Sequence, residues 1–433
     1  MRLLNKLKFE FLKLTQRPMK IGLISYYYPS KKENCDNGVA IHVFYLSREL
    51  AKLGCEVHVF TAGDKSTKEV SYLGEGKLVV HRLPIKLKSP PKDPVIFRRM
   101  GYLLFDNLVT TNIATENSTG AFDVIHSHGW LTTGPFMAKY FNGIKWIHTF
   151  HSLEKNRISF LAQEEKKYFN IVKWIESTIN NADALISVTK NLKEETEKNY
   201  NVKEKRFYVV PNGVDLNLFN PSQKKGRDKM VLFLGRFSME KGIEYLPGII
   251  RRVFEKNDSV TFEILAPYDP TIAGMDKIKS KIEFLISEYP KRIIWHKKIK
   301  SRQEIKDLIS EATISIQPSK YEAFGMTALE SMACGKLPIV SDRGGLPEVV
   351  GNAGIVCPLD EESFSEAILK LLKDYRLRER YSRRGIQRVK DFDWPVVSQK
   401  VLLVYKKICG KLKKGEDKYG ITESKSFNNH PSL

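Results

Sequence analysis

Residues 312–342 read ATISIQPSKYEAFGMTALESMACGKLPIVSD. The apolar run ATISIQ has the composition of a buried strand and stops at Pro318, which cannot donate to a strand ladder. A polar loop carrying Glu322 follows. Gly325 then opens a helix-length segment through Met326, Thr327, Ala328 and Leu329 to Glu330, and LPIVSD is a second apolar run. Strand, helix and strand within roughly thirty residues is one parallel βαβ unit.

The same alternation extends both ways. Upstream lie MVLFLGRFS, VTFEILAP and RIIWHKKI, and downstream AGIVCP, each separated by a helix-length segment. Before Pro211 an independent series runs through KIGLISYYYP, CEVHVFTAG, LVVHRLPI, FDVIHSHG, KWIHTFHS, ADALISVT and RFYVVPNGV. Between its first two strands, Val43, Leu46, Leu50 and Leu53 fall at helical spacing. The Pro-, Asn-, Gly- and charge-rich stretch 211–229 interrupts the rhythm and reads as a linker. The expected fold is α/β, with two tandem Rossmann-like, doubly wound parallel-sheet domains (19–210 and 230–392) and an interdomain cleft. Residues 1–18 form a basic amphipathic extension, with Leu3, Leu4, Leu7, Phe11 and Leu14 on one face and Met19 as an alternative start. Residues 410–433 read as a polar, disordered tail.

Composition narrows the function. The 433 residues are 42% hydrophobic and 28% charged, which excludes wholesale disorder and a disulfide-stapled miniprotein. The net charge of +21 favours anionic company: phosphates, nucleic acid or an anionic lipid face. Five scattered cysteines without C-x-x-C spacing fit a reducing compartment. No run reaches the ~18 apolar residues of a spanning helix, and the start lacks the apolar core of a secretion signal. A cytoplasmic protein is expected, with a peripheral contact to the cytoplasmic membrane face as a further option. No RNP, zinc-finger or helix-turn-helix signature supports nucleic-acid binding.

Ligands of open α/β sheets bind beyond the carboxyl ends of the strands. Gly325 at a helix start lets backbone amides approach a phosphate, and the helix dipole favours the anion. Glu322 and Glu330 flank that point, and beside a phosphate carboxylates suit hydroxyl partners. In LGRFSMEKG a strand end is followed by Arg236 and Lys241, a forked and a point cation suited to a diphosphate. Gly344-Gly345 form another anion-friendly turn. Basic clusters at KRIIWHKKIKSR and RLRERYSRR read as solvated helix faces. His126, His128, His148 and His151 sit at two strand ends. Their spacing, without cysteine or a carboxylate pattern, is a weak zinc signal, so no metal site is expected. His126 reads as a core residue.

These motifs, E-x7-E from Glu322 to Glu330, GR-x4-KG from Gly235 to Gly242, PNGVD at 211–215 and GG-x-PE at 344–348, resemble family 4 retaining glycosyltransferases of GT-B fold, including glycogen-synthase-like and sucrose-phosphate-synthase-like members. The resemblance spans nearly all of 19–409 and keeps the family's motif order. It implies a metal-independent hexosyltransferase with no cofactor, using a nucleoside-diphosphate sugar as co-substrate and a glycan, lipid-linked or small-molecule hydroxyl as acceptor. By the same resemblance, Arg236 and Lys241 hold the donor diphosphate and Glu330 the ribose. Glu322 contacts the donor sugar, and the amides of Phe324, Gly325, Met326 and Thr327 line sugar and phosphate. His151, in HTFHS, points into the cleft as a catalytic-site residue, while Lys155, Arg157 and His128 become acceptor-side candidates. The segment 393–409 resembles the family's last helix, crossing back to the first domain.

Two places depart from the family pattern. The first glycine-rich loop has Asn37-Gly38 after an insertion, KKENCD; it is expected to keep its turn, because Asn tolerates positive φ, and by the resemblance Asn37 and Gly38 are donor-binding candidates. The turn after the second strand of the carboxyl domain reads LAPYDP, so the nucleotide cannot be inferred from it. A nucleotide-sugar epimerase or hydrolase on the same fold, and a basic nucleic-acid-binding protein, are the rival readings.

Overall fold

The computed structural model describes residues 17–29, 37–86, 94–118, 120–129, 133–157, 160, 177–200, 202, 207–222, 226–269, 274–298 and 301–413. The basic extension 1–16, the insertion 31–36 and the tail from 414 lie outside these residues.

Two sheets organise the chain. The first contains β1 (Lys20–Ile24), β2 (Glu56–Gly63), β3 (Thr67–Leu73), β4 (Gly76–Pro84), β5 (Val124–His128), β6 (Lys145–Phe150), β7 (Ala184–Ser187) and β8 (Phe207–Val209), in the order β3-β4-β2-β1-β5-β6-β7-β8. Every pairing is parallel except the β3/β4 hairpin. The central strands β1 and β5 are buried along their whole length, because helices cover both faces. β3 is a solvent-facing edge strand, and its polar sequence TKEVSYL carries no apolar run to betray it.

The second sheet holds β9 (Met230–Leu234), β10 (Thr261–Leu265), β11 (Ile293–His296), β12 (Ile314–Gln317), β13 (Leu337–Ser341) and β14 (Ile355–Cys357), in the order β11-β10-β9-β12-β13-β14. This is the doubly wound order, all parallel. Strand order reverses between β1 and β5 in one sheet and between β9 and β12 in the other, which puts a crevice beyond the carboxyl ends of each pair.

The described residues between the sheets are packed rather than free. Val214 bridges Asp393, Phe219 is fully buried, and Gly213 lies so close to the Trp394 indole that a Cβ would stand 2.4 Å from it. The helix Trp394–Ile408 then crosses to the first sheet, where Val397, Val401, Val404 and Tyr405 pack with Ile21, Val57 and Val124. Thr189 Oγ1 donates to Ala323 O at 2.9 Å and Lys190 N to Glu348 Oε2 at 2.8 Å, joining the halves beside the cleft. Among the described residues, no helix is long and apolar enough to cross a membrane.

Candidate active site in the interdomain cleft

A cavity of about 430 Å³ lies where the two crevices face each other. On the carboxyl-domain wall, β9 ends at Leu234 and the chain passes through Gly235 and Arg236 to a single turn, Met239–Lys241. Gly242 closes that turn at φ 68°, and its backbone lies against Pro318, where a Cβ would meet the carbonyl oxygen at 1.7 Å. Only glycine allows the loop after β9 to dock on the end of β12 in this way. Docking brings the two motifs together: Lys241 Nζ donates to Glu322 Oε2 at 2.6 Å. Arg236, on the more exposed side, donates to Glu240 Oε2 at 2.9 Å.

Gly325 starts the helix Met326–Ala333 at φ 110°, with no side chain capping it. The first amides of a helix have no intrahelical acceptor, and Gly325, Met326 and Thr327 line the cavity. One and a half turns on, Glu330 is buried and receives Arg302 Nη2 at 2.7 Å. Arg302 rests on the Phe219 ring, 4.7 Å from its centroid. Burial opposes its charge, but the Glu330 carboxylate outweighs this and holds the guanidinium above its ordinary pKa. Three carboxylate–cation pairs thus line one wall.

The amino-domain wall is different. His151 follows β6 and reaches the cavity; His128, at the end of β5, lies behind it with Nδ1 3.2 Å from His151 Nε2. His42, on the helix Gly38–Lys52, completes the group at 4.7 Å between ring centroids from His151. Asn212 Oδ1 accepts from His42 Nδ1 at 2.8 Å, and Trp394 meets the ring edge-on. Burial alone would keep these rings neutral: it lowers His42 to about 4, and His128 and His151 well below the usual histidine range.

Arg236, Lys241, Glu322, Phe324, Gly325, Met326, Thr327, Glu330, Asn37, Gly38 and His151 all line the one cavity. Several expectations are corrected. His128 is not among the lining residues. Lys155 turns outward to Asn199 Oδ1 at 2.7 Å, because its short helix, Glu154–Arg157, buries Glu154 instead. The Arg157 side chain lies outside the described residues. Asn37 needs no positive φ: at −83° it caps its helix, its Oδ1 accepting from Val39 N and Ala40 N. Gly344 and Gly345 do not line the cavity; Gly345 N donates to Glu322 O at 2.7 Å, so the turn holds the Glu322 loop. The four-histidine grouping divides. His126 bridges the Tyr405 and Thr149 hydroxyls at 2.6 Å each, and His148 bonds Ser127 Oγ at 2.9 Å.

Three participants escaped the sequence reading. Arg302 lay in a stretch read as a solvated basic face. His42 was one polar residue in an amphipathic helix, and Asn212 sat in a motif known only by resemblance. No sequence-local signal marks Arg302 or His42, since their partners stand 28 and 170 residues away.

Fold and cleft together define a two-domain α/β protein with a cavity between facing switch points, lined by cation–carboxylate pairs on one wall and imidazoles on the other. The amino half, residues 36–218, matches the model of Glycosyltransferase Family 4, and residues 215–388 match that of Glycosyl transferases group 1. Among its relatives, alpha-maltose-1-phosphate synthase of Mycolicibacterium smegmatis is 27% identical, over 90% of this chain and 100% of that protein. D-inositol 3-phosphate glycosyltransferase of Corynebacterium urealyticum is 24% identical over 90% and 96%. The solved sucrose-phosphate synthase of Thermosynechococcus elongatus shares the fold with TM-score 0.74 at 23% identity, covering 90% of this chain and 99% of that one. The chain belongs to the group 1 glycosyltransferases of GT-B fold. It is an enzyme, a transferase of sugars.

Proposed function

We propose that the enzyme moves a hexosyl group from a nucleoside-diphosphate sugar to a hydroxyl acceptor, with retention of anomeric configuration and without a metal at the diphosphate. The observation that carries this reading is the row of ion pairs on the carboxyl-domain wall. A diphosphate entering the cavity competes with Glu322 for Lys241 and with Glu240 for Arg236. The released Glu322 carboxylate is then free to accept from sugar hydroxyls. Glu330, oriented by Arg302, accepts from the ribose diol. As the glycosidic bond breaks, charge grows on the leaving diphosphate, where Arg236, Lys241 and the amides of Met326 and Thr327 stabilise it. The sugar becomes oxocarbenium-like. Retention by front-face attack needs no protein nucleophile, and the described lining carboxylates, Glu240, Glu322 and Glu330, are each engaged by a cation. A neutral His151 orients the transferred sugar.

Support for the nucleotide comes from relatives of the same fold: the solved trehalose-phosphate enzyme of E. coli was bound with UDP-2-fluoro glucose, and a starch synthase of Arabidopsis thaliana with ADP. On the acceptor side, the names of the synthases above carry phosphate-bearing small sugars or polyols. The chain's charge of +21 suits a phosphorylated acceptor of that kind.

A thermal-shift screen with UDP, GDP, ADP and their sugars, with and without divalent ions, tests the donor. One base is expected to raise Tm without added metal, and Arg236→Ala and Glu330→Ala to abolish the shift. A folded protein that responds to no nucleotide overturns the reading. Transfer assays with the identified donor then compare phosphorylated sugars, glucans and lipid-linked acceptors.

A further inference from the structure

The trio His42, His128 and His151 offers metal-ligand chemistry beyond the orienting role given to His151. Each residue places a ring nitrogen within 4.8 Å of the other two. His128 Nδ1 and His151 Nε2 already stand 3.2 Å apart. A tetrahedral ion with bonds of about 2.0–2.1 Å needs ligand nitrogens about 3.4 Å apart. The third corner is prepared. Asn212 Oδ1 only accepts, so His42 Nδ1 donates to it, which fixes the tautomer with a bare lone pair on Nε2. His42 is 4% exposed, and that Nε2 is buried without a hydrogen-bond partner. An orphaned imidazole nitrogen beside the His128–His151 pair points to an absent ligand, since a buried polar atom left without a bond is costly. The second histidine-rich group, His58, His81 and Glu116, gives no such signal. There His58 bonds both His81 and Glu56 at 2.9 Å, and Glu116 pairs with Lys68 at 2.7 Å.

We propose that His42, His128 and His151 form a three-imidazole site for a borderline-soft divalent transition ion such as Zn²⁺ or Co²⁺. Only nitrogen ligands are offered, so the hard ions Mg²⁺ and Ca²⁺ are excluded. His151 alone of the three lines the cavity, so the fourth coordination position opens there, and a bound ion caps the amino-domain end of the cleft. The ion is separate from the diphosphate, which the cations of the opposite wall hold.

The test is a Co²⁺ titration of the chelator-stripped full chain, followed by visible absorption. One Co²⁺ per chain with the d–d bands of a four-coordinate site is expected, bleached by Zn²⁺ and indifferent to excess Mg²⁺. His42→Gln should lose the bands while His81→Gln keeps them. Should His42→Gln fail to melt cooperatively, His151→Gln at the cavity wall replaces it, with the same loss expected. Absence of d–d bands in the wild type overturns the proposal. So do bands that survive in a folded histidine-trio variant or that vanish in His81→Gln. Because the readout is spectroscopic, failure here leaves the transferase reading untouched, and failure of the nucleotide screen leaves this site untouched.

Discussion

The two walls of the cleft are built on opposite electrostatic plans. The carboxyl-domain wall is charged and self-neutralised, with Lys241, Arg236 and Arg302 each paired with a glutamate. The amino-domain wall carries uncharged imidazoles and an amide, with His42, His128 and Asn212 buried and His151 half-buried at the cavity. A wall of ion pairs accepts an anion by exchanging partners, so binding need not strip bare charges of water. A wall of neutral rings brings no side-chain cation to a phosphate, which suits orientation of a sugar rather than capture of a phosphate.

Breaking the deepest pair should have the largest effect. Glu330→Ala leaves Arg302 buried without its carboxylate, at an expected loss of roughly 3–5 kcal/mol of stability. Glu330→Ala with Arg302→Met is expected to regain most of the Tm yet still fail to bind nucleotide. Calorimetric melts with and without nucleotide check both arms. If the double variant binds nucleotide normally, Glu330 serves only Arg302.

Arg236→Ala tests the outer edge of the same wall. Its side chain is 60% exposed, so stability should move by less than about 0.5 kcal/mol. Activity should nevertheless fall by about 10²–10³ in kcat, the scale for removing one charge-stabilising donor. Parallel losses of stability and rate would mean that the loop is structural.

Acid challenges the opposite wall. His42 is lowered to about 4 and His148 to about 3 in the folded state, against 6.5 for an ordinary histidine. Groups with depressed folded values contribute stability that is fully present above pH 6.5 and is lost as pH falls toward 4. For His42 alone the span is worth roughly 3 kcal/mol, at ~1.4 kcal/mol per unit. Buried Asp106, raised to about 6 by desolvation, acts in the other direction, stabilising at low pH and losing that contribution as pH rises from 3.8 to 6. One carboxyl does not offset several imidazoles. Hydrogen exchange at pH 5 should therefore show β5 and β6 losing protection before β9 and β12. Equal loss in both sheets would erase the contrast between the walls.

Lys155→Ala marks the lower bound. Its ammonium points to Asn199 on the surface, so acceptor KM should change less than about twofold. A larger change in steady-state assays would return Lys155 to the acceptor site.

Much of this was legible along the chain. Apolar runs bounded by Pro and Gly marked the central strands, because a strand buried on both faces must be apolar throughout. β3 stayed hidden because an exposed edge strand carries no such constraint. Arg236, Lys241, Glu322 and Glu330 were readable because strand-to-helix loops of parallel sheets lead to the ligand edge. That Lys155 turns to Asn199 and His128 stands behind His151 was not legible, because the direction of a side chain on a short helix or behind a neighbour depends on packing.

The sequence by itself determined the alternation, the two sheets, the cation-bearing loop after β9 and the glycine-opened helix after β12. Local chemistry suffices for these, since periodicity, backbone freedom and loop composition act over a few residues. Only the tertiary structure decided that Lys241 meets Glu322, that Arg302 leaves the surface to hold Glu330, and that His42 joins His128 and His151 while His126 and His148 turn to the core. Those pairings depend on which strand ends the two folded halves bring face to face, and distance in the folded chain is not written in distance along it.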